Sequence, residues 1–142
     1  MPESVAVQRF LAEFADTFNQ QQTNLATEFC SLPSIIIDDN SKKILNDRHE
    51  LVAWFEGFFA RFNAAGITRF QPIVKRTMRL SDTLLFSNAR WQLFDENEQL
   101  AVSIASSFTL QKMLDGAYKI MITVIDDEKQ QLHHYLQHAK EC

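Results

Sequence analysis

The chain has 142 residues, 46% of them hydrophobic and 23% charged, with only 3 Gly and 3 Pro; this suits one globular domain and excludes a disordered or collagen-like chain. Its 14 basic and 18 acidic residues give a net charge of -4 with no basic block, so neither nucleic acid nor an anionic membrane is an expected partner. Two cysteines, Cys30 and Cys142, are too few for a disulfide framework, and the start MPESVAVQRF lacks the cationic and apolar runs of a secretory leader, which points to the cytoplasm.

Over residues 3–20, Val7, Phe10, Leu11, Phe14 and Phe18 recur at spacings of three and four, which stacks them on one stripe of a helix. Polar Gln20, Gln21 and Gln22 end that stripe. Thr23 then reads as the N-cap of a short second helix carrying Leu25, Phe29 and Cys30, stopped before Pro33. Residues 34–46 hold the Ile35, Ile36, Ile37 run and the Ile44, Leu45 pair around a polar centre of Asp38, Asp39, Asn40 and Ser41, the pattern of a short hairpin. Asp47, with Glu50 three residues on, has capping-box spacing and opens a third helix whose Leu51, Trp54, Phe55, Phe58, Phe59 and Phe62 share a face. Gly66 supplies its C-terminal cap.

From Ile67 the period drops to two. Polar breaks at Ser81-Asp82, Asp95 to Glu98 and Asp115-Gly116 divide the remainder into strands at about 67–80, 83–94, 99–113 and 117–126, a meander whose length demands strong twist and bend. In the last strand Tyr118, Ile120, Ile122 and Val124 alternate with Ala117, Met121 and Ile125, so both faces are apolar. One face covers the helices, and shielding the other calls for a homodimer joined through the sheets. The domain runs over 1–128, and residues 129–142 make a polar C-terminal tail, either a short surface helix or a poorly ordered end.

Helix, short helix, hairpin, long helix and four long strands is an order that resembles the NTF2-like superfamily, the cone-shaped α+β fold shared by SnoaL-like polyketide cyclases and ketosteroid isomerase. The resemblance spans residues 5–126 and is carried also by DRHELVAWFEGFF after an acidic hairpin and by the closing FTLQKMLDGAYKIMIT. It implies a cystatin-like cone: three N-terminal helices packed on a strongly bent, mostly antiparallel sheet, with a pocket inside and a dimer through the sheet. The scaffold hosts enzymes, binders and assembly modules alike.

Catalytic members carry a carboxylate near the end of the first hairpin strand, and the matching position here is Asp38 or Asp39; an apolar surround would make either a general base. The steroid-isomerase chemistry also needs a tyrosine hydroxyl on the first helix and an acid on a later strand. The first helix offers only Phe10, Phe14 and Phe18, and the strand positions fall near Ser106 and Ser107. Arg76 and Arg90, set in apolar strands, could recognise a carboxylate if aimed inward. Trp54, Phe58 and Trp91 would wall a flat apolar ligand. In the tail, His134, His138 and Cys142 are four apart, a helical spacing that suits zinc or nickel. No phosphate loop, nucleophile elbow or Cys-x-x-Cys pair occurs, and no cofactor is implied. The sequence thus points to a small apolar molecule bound in the cone; the alternatives are a lyase or isomerase using an Asp base and a non-catalytic dimeric interaction module.

Overall fold

The computed structural model describes residues 2–126 and 128–141, with side chains described at 3–126 and 131–137. Helices α1 (Pro2–Asn19) and α2 (Thr23–Thr27) lead into a hairpin of β1 (Cys30–Ile37) and β2 (Lys42–Leu45). Helix α3 (Arg48–Ala64) follows, then β3 (Ile67–Arg79), β4 (Leu84–Asp95), β5 (Leu100–Lys112), β6 (Tyr118–Ile125) and α4 (Glu128–Glu141). The order along the single mixed sheet is β2-β1-β6-β5-β4-β3, antiparallel throughout except that β1 runs parallel to β6.

The hairpin is therefore part of the main sheet and not an appendage to a four-stranded meander. Cys30 opens β1 instead of closing α2, and the N-cap position of α2 falls to Gln22, which makes no side-chain capping bond. With β1 on one side and β5 on the other, β6 is a central strand of the sheet.

Helix α3 starts as its sequence dictates. The Asp47 carboxylate accepts the Glu50 N–H at 2.9 Å, while Glu50 reaches back to accept the Asn46 N–H at 2.7 Å, one residue before the usual capping-box donor. At the other end Gly66 takes φ +85°, which only glycine adopts without a side-chain clash.

Inward residues of β4 and β5 alternate strictly: Leu85, Ser87, Ala89, Trp91 and Leu93 face Leu110, Phe108, Ser106, Ile104 and Val102 across the ladder, all buried. Against them lie Val7, Leu11, Phe14 and Phe18 of α1 and Leu51, Phe55, Phe58, Phe59 and Phe62 of α3. Rings dominate this core: Phe18 stacks on Trp91 at 5.7 Å and meets Phe55, Phe58, Phe59 and Phe70 edge-on.

Register shifts interrupt every strand pairing except that of β1 with β2, and two of them set which way candidate site residues face. Between Val74 and Arg76 the β3–β4 register slips by one, so Lys75 is the extra residue; Val74 stays inside while Arg76 and Met78 turn to the outer face. In β6 the slip falls at Met121, which leaves Ile120 inside and puts Ile122 and Val124 outside, opposite Thr109 and Ser107. Each bulge bends its strand and increases the local twist, which curls the sheet around the helices.

The free edge of β3 is closed by α1. Gln8 donates from Nε2 to the Pro72 carbonyl at 3.1 Å and accepts the Val74 N–H on Oε1 at 2.8 Å. Asn19 donates to the Phe70 carbonyl at 3.3 Å and accepts its N–H at 2.7 Å. Two side-chain amides thus do for the edge what a seventh strand would. Helix α4 packs on β5 and buries Leu132. No helix among the described residues is long and apolar enough to cross a membrane.

Candidate functional site

The curl of the sheet leaves a cavity of about 50 Å³ between α1, α3 and the inward side chains of β1, β4, β5 and β6. Its walls are Phe14, Phe18, Phe55 and Phe58 from the helices and Trp91, Leu93, Ile104 and Phe108 from the sheet, with Trp54 toward the outside. Four side chains interrupt the apolar lining: Cys30 and Ser34 on β1, Ser106 on β5 and Thr123 on β6. None is a carboxylate or an imidazole.

Cys30 is held as a neutral thiol. Burial pushes its pKa from 9.0 up to about 12, against smaller opposing effects of the Lys119 charge and a hydrogen bond from Ser34. A thiol so raised is a poor nucleophile. Ser106 is buried, 7% exposed, and its Oγ has no hydrogen-bond partner among the described residues.

A second hollow of about 100 Å³ lies at the mouth, lined by Asp38, Ser41, Lys43 and Arg61 and sharing Ile36, Trp54 and Ile125 with the cone. Trp54 is the partition. Its ring is half-buried and stacks on Phe58 at 5.2 Å. Asp38 belongs to this mouth: its Oδ1 accepts the N–H groups of Asn40 and Ser41 at 2.9 and 2.8 Å and the Ser41 hydroxyl at 3.0 Å, the bonding of a turn former. Asp39 is exposed and lines neither hollow.

The expected site residues are thus divided. Trp54, Phe58 and Trp91 converge on the cone, Asp38 stands at its entrance, and the two arginines lie elsewhere. The bulge at Lys75 turns Arg76 to the exposed outer face; Arg90, in the outward phase of β4, donates to Ser103 Oγ at 3.0 Å and borders an outer hollow of about 280 Å³. The spacing of His134, His138 and Cys142 lies partly outside the described residues: His134 is an exposed position of α4, while the His138 side chain and Cys142 are not described. Among the described residues no group of three or more His, Cys, Asp or Glu is placed to hold a metal ion.

Ser34, Thr123 and Cys30 were not singled out from sequence. The signal that would have found Ser106 is its phase: it sits between Ile104 and Phe108 on the inward set of an alternating strand, where a polar residue is out of pattern.

The model of a family described as NTF2-like protein (DUF6841) matches residues 3–128. The chain belongs to this family. Its cystatin-like α+β architecture recurs in solved structures of low identity, which share the fold. A domain of unknown function with a cystatin-like fold from Nostoc punctiforme superposes with a TM-score of 0.71 at 12% identity, covering 100% of this chain and 99% of that one. A ketosteroid isomerase-like protein from Erwinia carotovora atroseptica gives 0.66 at 10% identity, covering 87% and 95%. A protein from Catenulispora acidiphila in complex with S-DNPA gives 0.65 at 11% identity, covering 89% and 94%. No curated protein matches the chain significantly.

Proposed function

We propose that this NTF2-like protein binds a small, mostly apolar, uncharged molecule in its cone, with Trp54, Phe58 and Trp91 as walls and no proton transfer required. The observation that carries this is the lining: aromatic rings around an interior cavity whose polar groups are hydroxyls, a thiol and indole N–H groups, with no charged side chain among them. A charged ligand would lose its hydration there without a counter-charge to replace it. The bound S-DNPA of the Catenulispora protein supports small-molecule binding by this fold. Asp38 favours binding over the lyase or isomerase alternative, because its carboxylate is engaged in the hairpin turn at the mouth instead of standing inside the cone. The binder is proposed to act as a homodimer through the outer face of the sheet.

The test is thermal unfolding with single-ring hydrocarbons. Toluene at about a hundred times its dissociation constant stabilises the native state by about 2.7 kcal/mol and raises Tm by several degrees. An unchanged Tm with benzene, toluene and cyclohexane, each near its solubility limit, overturns the proposal.

A further inference from the structure

We infer that the ligand is a single-ring, uncharged molecule carrying one hydrogen-bonding oxygen, a phenol or a cyclic alcohol or ketone, and that Ser106 Oγ is the group that reads that oxygen. This rests on the proposed binding role and goes beyond it by assigning the ligand's polar atom to one residue.

A buried hydroxyl without a partner costs about 1–3 kcal/mol, and native proteins leave few of them. Ser106 bears that cost in the inward phase of β5, between Ile104 and Phe108 and across the ladder from Ile125. Alanine at the same position would avoid the cost with little change in shape. A hydroxyl both donates and accepts, so it selects for one polar atom without fixing that atom's charge. The polar side chains sharing the cavity, Cys30, Ser34 and Thr123, include no charged group, and burial keeps the thiol protonated. An ionised oxygen placed at Ser106 would therefore find no counter-charge in the cone, since Lys43 and Arg61 line the mouth on the far side of Trp54.

Size supplies the rest. The cone holds about 50 Å³, and an apolar cavity takes a benzene ring at about 150 Å³. The mouth adds a further 100 Å³ or so behind Trp54. Of the three side chains the hollows share, Ile36 and Ile125 are buried while Trp54 is half-buried against Phe55 and Phe58, so Trp54 is the wall that a ring must displace. With it displaced, the joined hollows accept one ring and little more, its oxygen directed at Ser106.

Phenol and toluene test this, because they have nearly the same shape and differ by a hydroxyl against a methyl. Their dissociation constants are measured by titration calorimetry on the full chain and on Ser106→Ala. The expected result is that Ser106→Ala weakens phenol about fivefold relative to toluene, the effect of one hydrogen bond, while its Tm without ligand stays at or above that of the parent. A phenol-to-toluene ratio that is the same in both proteins overturns the assignment, as it would if a trapped water already satisfied the hydroxyl. Binding of toluene but not phenol overturns it too and leaves the apolar binding role standing; binding of neither removes both. If Ser106→Ala fails to fold, Ser106→Thr keeps the hydroxyl's role in question: it must retain the parent's preference for phenol, and loss of that preference counts against the inference.

Discussion

At the scale of single residues the cone's chemistry is set by what burial does to polar groups. Cys30 makes this measurable. Below pH 9.0 the thiol is protonated in folded and unfolded chains alike, and its contribution to stability is constant. Above that the unfolded chain ionises while the folded chain, with its pKa near 12, holds the proton. Stability then falls with rising pH by up to about 1.4 kcal/mol per unit. Urea unfolding at about pH 8 and about pH 10.5 should show a drop that is smaller in Cys30→Ala by roughly 1 kcal/mol or more; parallel slopes in the two proteins would rule out the buried thiol as the cause. The aromatic walls were legible from sequence because Trp54 and Phe58 sit on a helical stripe and Trp91 on a strand that keeps its phase. Cys30 is not legible in this way: the sequence pattern ends a helix on it, and its role depends on β1 beginning five residues before Ile35, the first of the isoleucine run.

At the scale of elements, helix boundaries and strand lengths follow from local chemistry, and the start of α3 shows why: its capping residues lie within four positions of one another. Edge protection is different, since it joins residues far apart in the chain. Gln8 and Asn19 lie three helical turns apart on α1 and read in sequence as ordinary polar positions, yet both amides are spent on the backbone of β3. Asn19→Leu leaves the Phe70 N–H and carbonyl without partners and is expected to cost about 1–3 kcal/mol, with Gln8→Leu in the same range. Denaturant midpoints check the cost, and the double variant should also aggregate faster because the β3 edge is uncovered. Midpoints equal to the parent's would show that water replaces the amides at no loss. Bulges were illegible for a related reason: alternation carries Val74, Arg76 and Met78 to one side, and only the pairing with β4 shows that Lys75 is an extra residue. That single slip decides whether Arg76 faces a ligand or the outside.

At the scale of the whole molecule, the outer face of the sheet is the feature that a monomer leaves unexplained. It is mixed in character, less greasy than the strand sequences alone suggest: Phe86, Ile122 and Val124 flank a row of small residues on β5, Ser103, Ala105, Ser107 and Thr109. Small side chains let a second sheet approach to the usual packing distance of about 10 Å. Strands β3, β4 and β5, of 13, 12 and 13 residues, and β6, of 8, offer roughly 700 Å² at about 3.3 Å per residue and about 4.8 Å per strand, near the 800 Å² or so that each partner gives to a stable interface. Opposing this are Arg76, Lys75 and Arg90 on or beside the same face, with Asp126 as the one acid lining the outer hollow beside Lys75 and Arg90, a net positive set that a twofold axis would bring toward its own copy. Dimerisation is therefore expected to strengthen as salt screens that repulsion, since the screening length falls from about 10 Å at 0.1 M to about 3 Å at 1 M. Light scattering on the eluted protein should give twice the chain mass at micromolar concentration. Ala105→Arg, which adds a fourth cation in the middle of the row, should give the single chain mass while keeping the toluene-induced rise in Tm, because the cone lies on the other side of the sheet. A parent protein that elutes as a monomer at both salt concentrations would leave the outer face to solvent and remove the dimer from the account.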